Sequence, residues 1–238
     1  IALLAVLLIN TALLYLIAVG LGRSLKFSRD ERKGLIAIAL FANVGNMGLP
    51  FVLFSLGQAG LERATVYLVG VNLLVTGLFP IVLKGTGIRT GVVFTLRQPV
   101  LWSVLAGLAI QASGGMLLPQ AIGGGVVLLG GGAIPMALLT LGVQLSRTQF
   151  VFGRYELFGA GIRLLVSPLL AYGTGRLLGL EGLDLQVAVV QSAMPVAVNS
   201  LIWVTELGGD AVRVARTIVL STLLSFFTLP GVLWLSAF

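Results

Sequence analysis

The sequence predicts an all-α polytopic membrane protein, built as an inverted internal repeat with two broken helices that cross at mid-bilayer. Three observations carry this. Hydrophobic residues make up 58% of the 238 residues and charged residues only 10%, against roughly 25% in a soluble domain. Apolar runs long enough to cross a bilayer follow one another along the chain. Two of those runs are interrupted at mid-depth by Asn, Gln, Ser, Gly and Pro, residue types that a lipid-facing helix has no use for.

Composition narrows the function classes. The formal net charge is +7, but the basic residues sit at the ends of apolar runs. That is the positive-inside pattern rather than a nucleic-acid patch. With no Cys and no His, disulfides, thiolate metal sites, Cys nucleophiles and the usual general base are absent. No metal site, cofactor or enzymatic activity is expected.

Eight spans, A to H, can be placed. Span A covers about residues 1–22. It lacks a basic leader and is long enough to cross, so it reads as a span and not a signal peptide. Spans B and C cover about 34–57 and 64–83, D and E about 99–118 and 121–145, F about 155–178, G about 185–205 and H about 214–236. Loop A–B carries Arg23, Lys26, Arg29, Arg32 and Lys33 against Asp30 and Glu31; loop C–D carries Lys84, Arg89 and Arg97; loop E–F carries Arg147 and Arg154. These loops (23–33 and 84–97 most clearly) are expected in the cytoplasm, G–H with them by alternation, and the C-terminus outside a cell inner membrane.

A shift of 150 residues lays span C on span H. It matches Arg63 with Arg213, Leu73-Leu74 with Leu223-Leu224 and Pro80 with Pro230. A shift of 153 lays Gly22-Arg23 on Gly175-Arg176. If A-B-C repeats as F-G-H, spans D and E lack partners, and two further spans are expected before residue 1. The expected whole is ten spans, of which eight are visible. Residues 1–83 would hold the remainder of the first repeat and 84–238 the second five-helix repeat. Five is odd, so the second copy is inverted.

The breaks carry the candidate site. In span B the stretch Asn43-Val44-Gly45-Asn46-Met47-Gly48-Leu49-Pro50 collects two Asn, two Gly and a Pro. Pro removes a donor, and Gly admits close backbone approach. Each Asn brings polar atoms that lipid cannot satisfy. In span G the partner is Gln191-Ser192-Ala193-Met194-Pro195-Val196-Ala197-Val198-Asn199-Ser200. Irregular backbone at this depth belongs where it lines a wet cavity, which is the arrangement of an inverted-repeat transporter. The bland alternative for Asn43 and Asn46 is hydrogen-bonding glue between helices, and for Pro50 and Pro195 a simple kink.

These stretches, with Pro135-Met136-Ala137-Leu138-Leu139 and Leu141-Gly142 in span E, Met194-Pro195 in span G and residues 221–230 of span H, make the chain resemble the auxin efflux carrier family. That family includes short bacterial members and the plant PIN-type carriers. The resemblance implies ten spans in two inverted repeats, a transport domain moving against a scaffold, crossed broken helices at the substrate site and a homodimer. The lack of a long central loop fits the bacterial type.

The expected function is that of a secondary carrier of a small organic anion, such as a carboxylate, by alternating access. The substrate-binding candidates are Asn43, Gly45, Asn46, Pro50, Gln191, Ser192, Met194, Pro195, Asn199 and Ser200, with Arg163 added. Half-helix N-termini and neutral amides suit a carboxylate. Arg163, the one basic residue well inside a span, reads first as a snorkelling side chain. A counter-charge for anions is its alternative. No Asp or Glu lies at the centre of a span, which disfavours a carboxylate relay but leaves open a proton or a sodium ion as coupling ion. The Gly-rich span E lacks a phosphate-loop ending and reads as a surface for close helix packing. The runner-up reading is a membrane-embedded sensor or assembly subunit of the same fold that binds without transporting. The partners expected are the anion and the lipid bilayer, with no nucleic acid.

Overall fold

The computed structural model describes residues 2–84, 88–97, 99–114, 119–146 and 153–236. Its helices are α1 (Ala2–Ser24), α2 (Arg29–Leu40), α3 (Leu49–Lys84), α4 (Ile88–Leu96), α5 (Pro99–Ala112), α6 (Gln120–Ser146), α7 (Arg154–Gly161), α8 (Ser167–Leu177), α9 (Gly182–Ser192), α10 (Asn199–Leu207) and α11 (Ala211–Ser236). π-helical turns over Val44–Gly48 and Ile162–Val166 lead into α3 and join α7 to α8. Five helices among the described residues are long and apolar enough to cross a membrane: Ala2–Ser24, Val44–Leu74, Ile122–Thr140, Arg154–Leu177 and Ala211–Ser236. They carry spans A, B with C, E, F and H. Span D is represented by the shorter apolar helix Leu101–Ala112, and span G is divided between α9 and α10. α3 kinks at Gly57, where φ is 71°, a backbone region that glycine enters without a Cβ penalty. The kink falls where the sequence reading ends span B.

The core forms around α2. Its residues from Gly34 to Leu40 are all buried. A helix that is apolar all round must sit inside the bundle, and α1, α7, α10 and α11 pack around it. A second apolar cluster joins Met47 and Val52 to Val187, Val190, Met194 and Leu229. The two clusters lie on either side of the breaks and hold them in place.

Polar clasps mark the two ends of the bundle. At one end Ser28 caps α2 in a capping box with Glu31. The Tyr155 hydroxyl donates to the Glu31 carbonyl at 2.8 Å. Arg213 pairs with Glu31 at 3.0 Å and lies over the Tyr155 ring. The Asp210 N–H donates to the Asp30 carbonyl at 3.1 Å. The Ser28 backbone N–H holds the Glu31 carboxyl below the usual carboxylate range, so this clasp stays charged at neutral pH. Loop A–B, the start of span F and loop G–H therefore share one end. At the other end Arg63 pairs with Asp184, joining loops B–C and F–G.

Helix α6 is largely uncovered, for none of Ile122–Thr140 is buried. A Cβ added at Gly123, Gly124, Gly125, Gly130, Gly131, Gly132 or Gly142 would meet nothing within 4 Å. The close helix packing expected of these glycines is not made among the described residues.

Candidate functional site

The first break lies earlier than Asn43–Pro50. α2 ends at Leu40, and Phe41 is extended (φ −93°, ψ 91°). Asn43 is non-helical (φ −79°, ψ 53°), and the π-helical turn Val44–Gly48 already begins the second half of the broken helix. Pro50 stands second in α3. The proline therefore sits inside the helix that follows the unwound piece and does not make the break. The second break runs from the end of α9 at Ser192 to the start of α10 at Asn199.

The two unwound pieces cross antiparallel. Ala42 and Val196 form an isolated β-bridge. The Asn43 N–H donates to the Pro195 carbonyl at 2.8 Å, and the Ala197 N–H donates to the Phe41 carbonyl at 2.8 Å. The Val196 N–H donates to Ser221 Oγ of α11 at 3.1 Å. Backbone groups freed by unwinding must find protein partners at this depth, and here each break supplies them for the other.

A cavity of about 320 Å³ opens on one side of the crossing. Of the residues expected at a site, Asn43, Gly45, Asn46 and Asn199 line it. Among the described residues the side-chain amides of these three Asn make no hydrogen bond to protein. Asn43 is nevertheless only 5% exposed. Among the lining residues that the sequence reading did not place at the site are Asn72, Trp203 and Phe41. Asn72 reaches the cavity from α3; its amide nitrogen donates to the Leu68 carbonyl at 3.0 Å. Trp203 stacks on Phe41 with ring centroids 6.2 Å apart, and together they form an apolar wall. Asn72 was findable as the lone Asn of span C. Trp203 was findable as the residue one helical turn after Asn199, on the same face.

The other expected residues lie off the cavity. Ser192 Oγ donates to the Val189 carbonyl at 2.7 Å, and Ser200 Oγ to the Ala197 carbonyl at 2.6 Å. Both hydroxyls are engaged with local backbone. Met194 is packed in the second apolar cluster. Pro195 is buried and contributes its carbonyl to the crossing; Pro50 is buried in α3.

Gln191 is fully buried, and neither its Oε1 nor its Nε2 has a partner among the described residues. It lies against Gly48, where an added Cβ would come within 2.3 Å of Oε1. An orphaned buried amide costs about 1–3 kcal/mol. Gln191→Leu is therefore expected to raise the thermal midpoint in detergent by a few degrees. A clear fall would mean that the amide is hydrogen-bonded in the folded protein.

Arg163 does not snorkel. It is 3% exposed and sits in the π-helical turn Ile162–Val166. Its Nη1 donates to the Ala39 carbonyl at 2.6 Å and its Nε to the Met194 carbonyl at 3.2 Å. Its Nη2 donates to Ser167 Oγ at 2.8 Å and to the Ser192 carbonyl. Arg163 thus holds the closing ends of α2 and α9 from behind the crossing. The opposite ends, the N-termini of the turn leading into α3 and of α10, begin at the cavity and bring partial positive charge to it. Among the described residues no charged side chain lines the cavity.

The chain is similar in sequence to known membrane transport proteins. A family model described as "Membrane transport protein" matches residues 88–233, a range that includes the second break and leaves out the first. An "uncharacterized transporter" of the archaeon Methanothermobacter thermautotrophicus is 34% identical over 211 residues, covering 84% of this chain and 66% of the relative. Another from Methanocaldococcus jannaschii is 29% identical over 227 residues, covering 90% of this chain and 71% of the relative. The chain thus spans about two thirds of the length of these archaeal relatives. On its family match and its apolar helices, this is a multi-pass membrane protein that belongs to the membrane transport protein family, that of the auxin efflux carriers.

Proposed function

We propose that the protein carries a small organic anion, with the cavity at the crossing as its binding site. The observation that carries this reading is the set of uncommitted Asn amides, Asn43, Asn46 and Asn199, gathered where two half-helices begin. Neutral N–H donors and helix N-termini stabilise a carboxylate without the desolvation cost of burying a lysine beside it. The Phe41–Trp203 wall would take the apolar part of the solute. Alternating access would move the crossed helices as one body against a scaffold, in an inverted repeat of ten spans. The Glu31–Arg213 end would face the cytoplasm, in keeping with the basic loops there.

The test is uptake into proteoliposomes of the full-length protein, using radiolabelled malonate, lactate and indole-3-acetate, with choline as a cation of similar size. Saturable flux of an anion and none of choline is the expected result. Saturable anion binding with no flux would favour the sensor reading. Choline flux without anion flux would overturn the anion reading altogether.

A further inference from the structure

Arg163 is a buried cation whose partners are all neutral oxygens. Among the described residues no carboxylate pairs with it; the ion pairs there join Arg63 to Asp184 and Arg213 to Glu31 and Asp210. An isolated charge at this depth is costly unless something of opposite sign faces it. The two helix ends supply that. Each helix C-terminus carries roughly half a negative charge, and the guanidinium touches two of them: the Ala39 carbonyl in the last turn of α2, and the Ser192 and Met194 carbonyls at the end of α9. Two such ends together balance about one positive charge. With Ser167 Oγ, the guanidinium is enclosed by four oxygens from three separate segments.

Carbonyls from half-helix C-termini and unwound backbone are also what holds a coupling cation in secondary transporters. We propose that these four oxygens form a monovalent-cation cage at the helix crossing, filled in this protein by its own Arg163. The arginine is a tethered counter-ion that fixes the two breaks against each other. Its placement follows from the chain. The π-helical turn Ile162–Val166 puts Arg163 and Ser167 on one side of the α7–α8 helix, and Ser167 Oγ in turn donates to the Ser192 carbonyl at 2.8 Å. Asn10 of α1 donates to Ser167 Oγ at 3.3 Å, which closes the cage from the fourth side. Under the shift of 153 that aligns Gly22 with Gly175, Asn10 falls on Arg163. The related positions of spans A and F thus meet at one cage, one charged and one neutral.

The test reads stability and not flux, so its failure leaves the anion reading of the cavity untouched. Full-length protein in detergent is compared with Arg163→Ala, Arg163→Gln and Arg163→Lys by thermal unfolding. Methylguanidinium, sodium or N-methylglucamine is added as the chloride at equal low-millimolar strength. The two neutral variants are expected to lose on the order of 10 °C. They should recover several degrees with methylguanidinium, less with sodium and none with N-methylglucamine. Arg163→Lys keeps the charge and should retain most of the wild-type midpoint, and neither it nor the wild type should respond to added cation. The proposal is overturned if the neutral variants unfold at the wild-type temperature, or if folded neutral variants ignore methylguanidinium and sodium. It is overturned equally if Arg163→Lys loses as much as Arg163→Gln. That comparison holds even if Arg163→Ala cannot be recovered.

Discussion

Asn43→Ala combined with Asn46→Ala is expected to lower saturable anion flux on the order of 100-fold or more, while the thermal midpoint barely moves. Both amides line the cavity, and neither is engaged by protein among the described residues. Their removal therefore leaves no internal partner orphaned. A hydrogen bond to a charged group is worth about 1.5–3 kcal/mol, so losing two from a bound carboxylate gives at least that factor in affinity. Flux and unfolding temperature, measured on the same preparation, check it. Undiminished flux in a folded double mutant would place the solute elsewhere. Equal losses of flux and stability would return the two Asn to the role of helix glue.

Ala197→Pro acts on the crossing itself and should have the largest effect on stability. The Ala197 N–H is one of the two donors that join the breaks, bonded to the Phe41 carbonyl at 2.8 Å. Proline removes that donor and leaves the Phe41 carbonyl short of a partner at a depth where water is scarce. The combined cost is about 3 kcal/mol or more, a fall on the order of 10 °C for a chain of this size. Ala197→Ser keeps the N–H and should stay within a few degrees of the wild type. Unfolding can be followed by tryptophan fluorescence, since Trp203 stacks on Phe41 beside the bond. A proline variant as stable as the serine variant would show that the pairing of the breaks is not needed to hold the fold.

Much of this protein is legible in one dimension, because the bilayer imposes one-dimensional rules. Run length and charge identify the spans. Polar residues in mid-span stand out against an apolar background, so Asn43, Asn46 and Asn199 could be singled out before any geometry was known. The meeting of the basic A–B loop with loop G–H at one end follows from alternation, and the Glu31–Arg213 pair joins them there.

Only the tertiary structure decided what each of those polar residues faces. Pro195 points to the second break itself, between α9 and α10, whereas Pro50 points to the right span but not to the unwound piece, which is Phe41–Asn43. Gln191 and Asn199 belong to one stretch of sequence. Yet one is sealed against Gly48 and the other opens on the cavity, because α9 packs on α8 and α1 whereas α10 packs on α2. Asn72 comes to the site from a helix whose sequence is otherwise unremarked. The fate of Arg163 was the least readable. This far into a span, a long basic side chain can reach the interface or turn inward with nearly equal ease. What turns it inward is a cluster of carbonyls assembled from α2 and α9, which no local pattern in span F encodes.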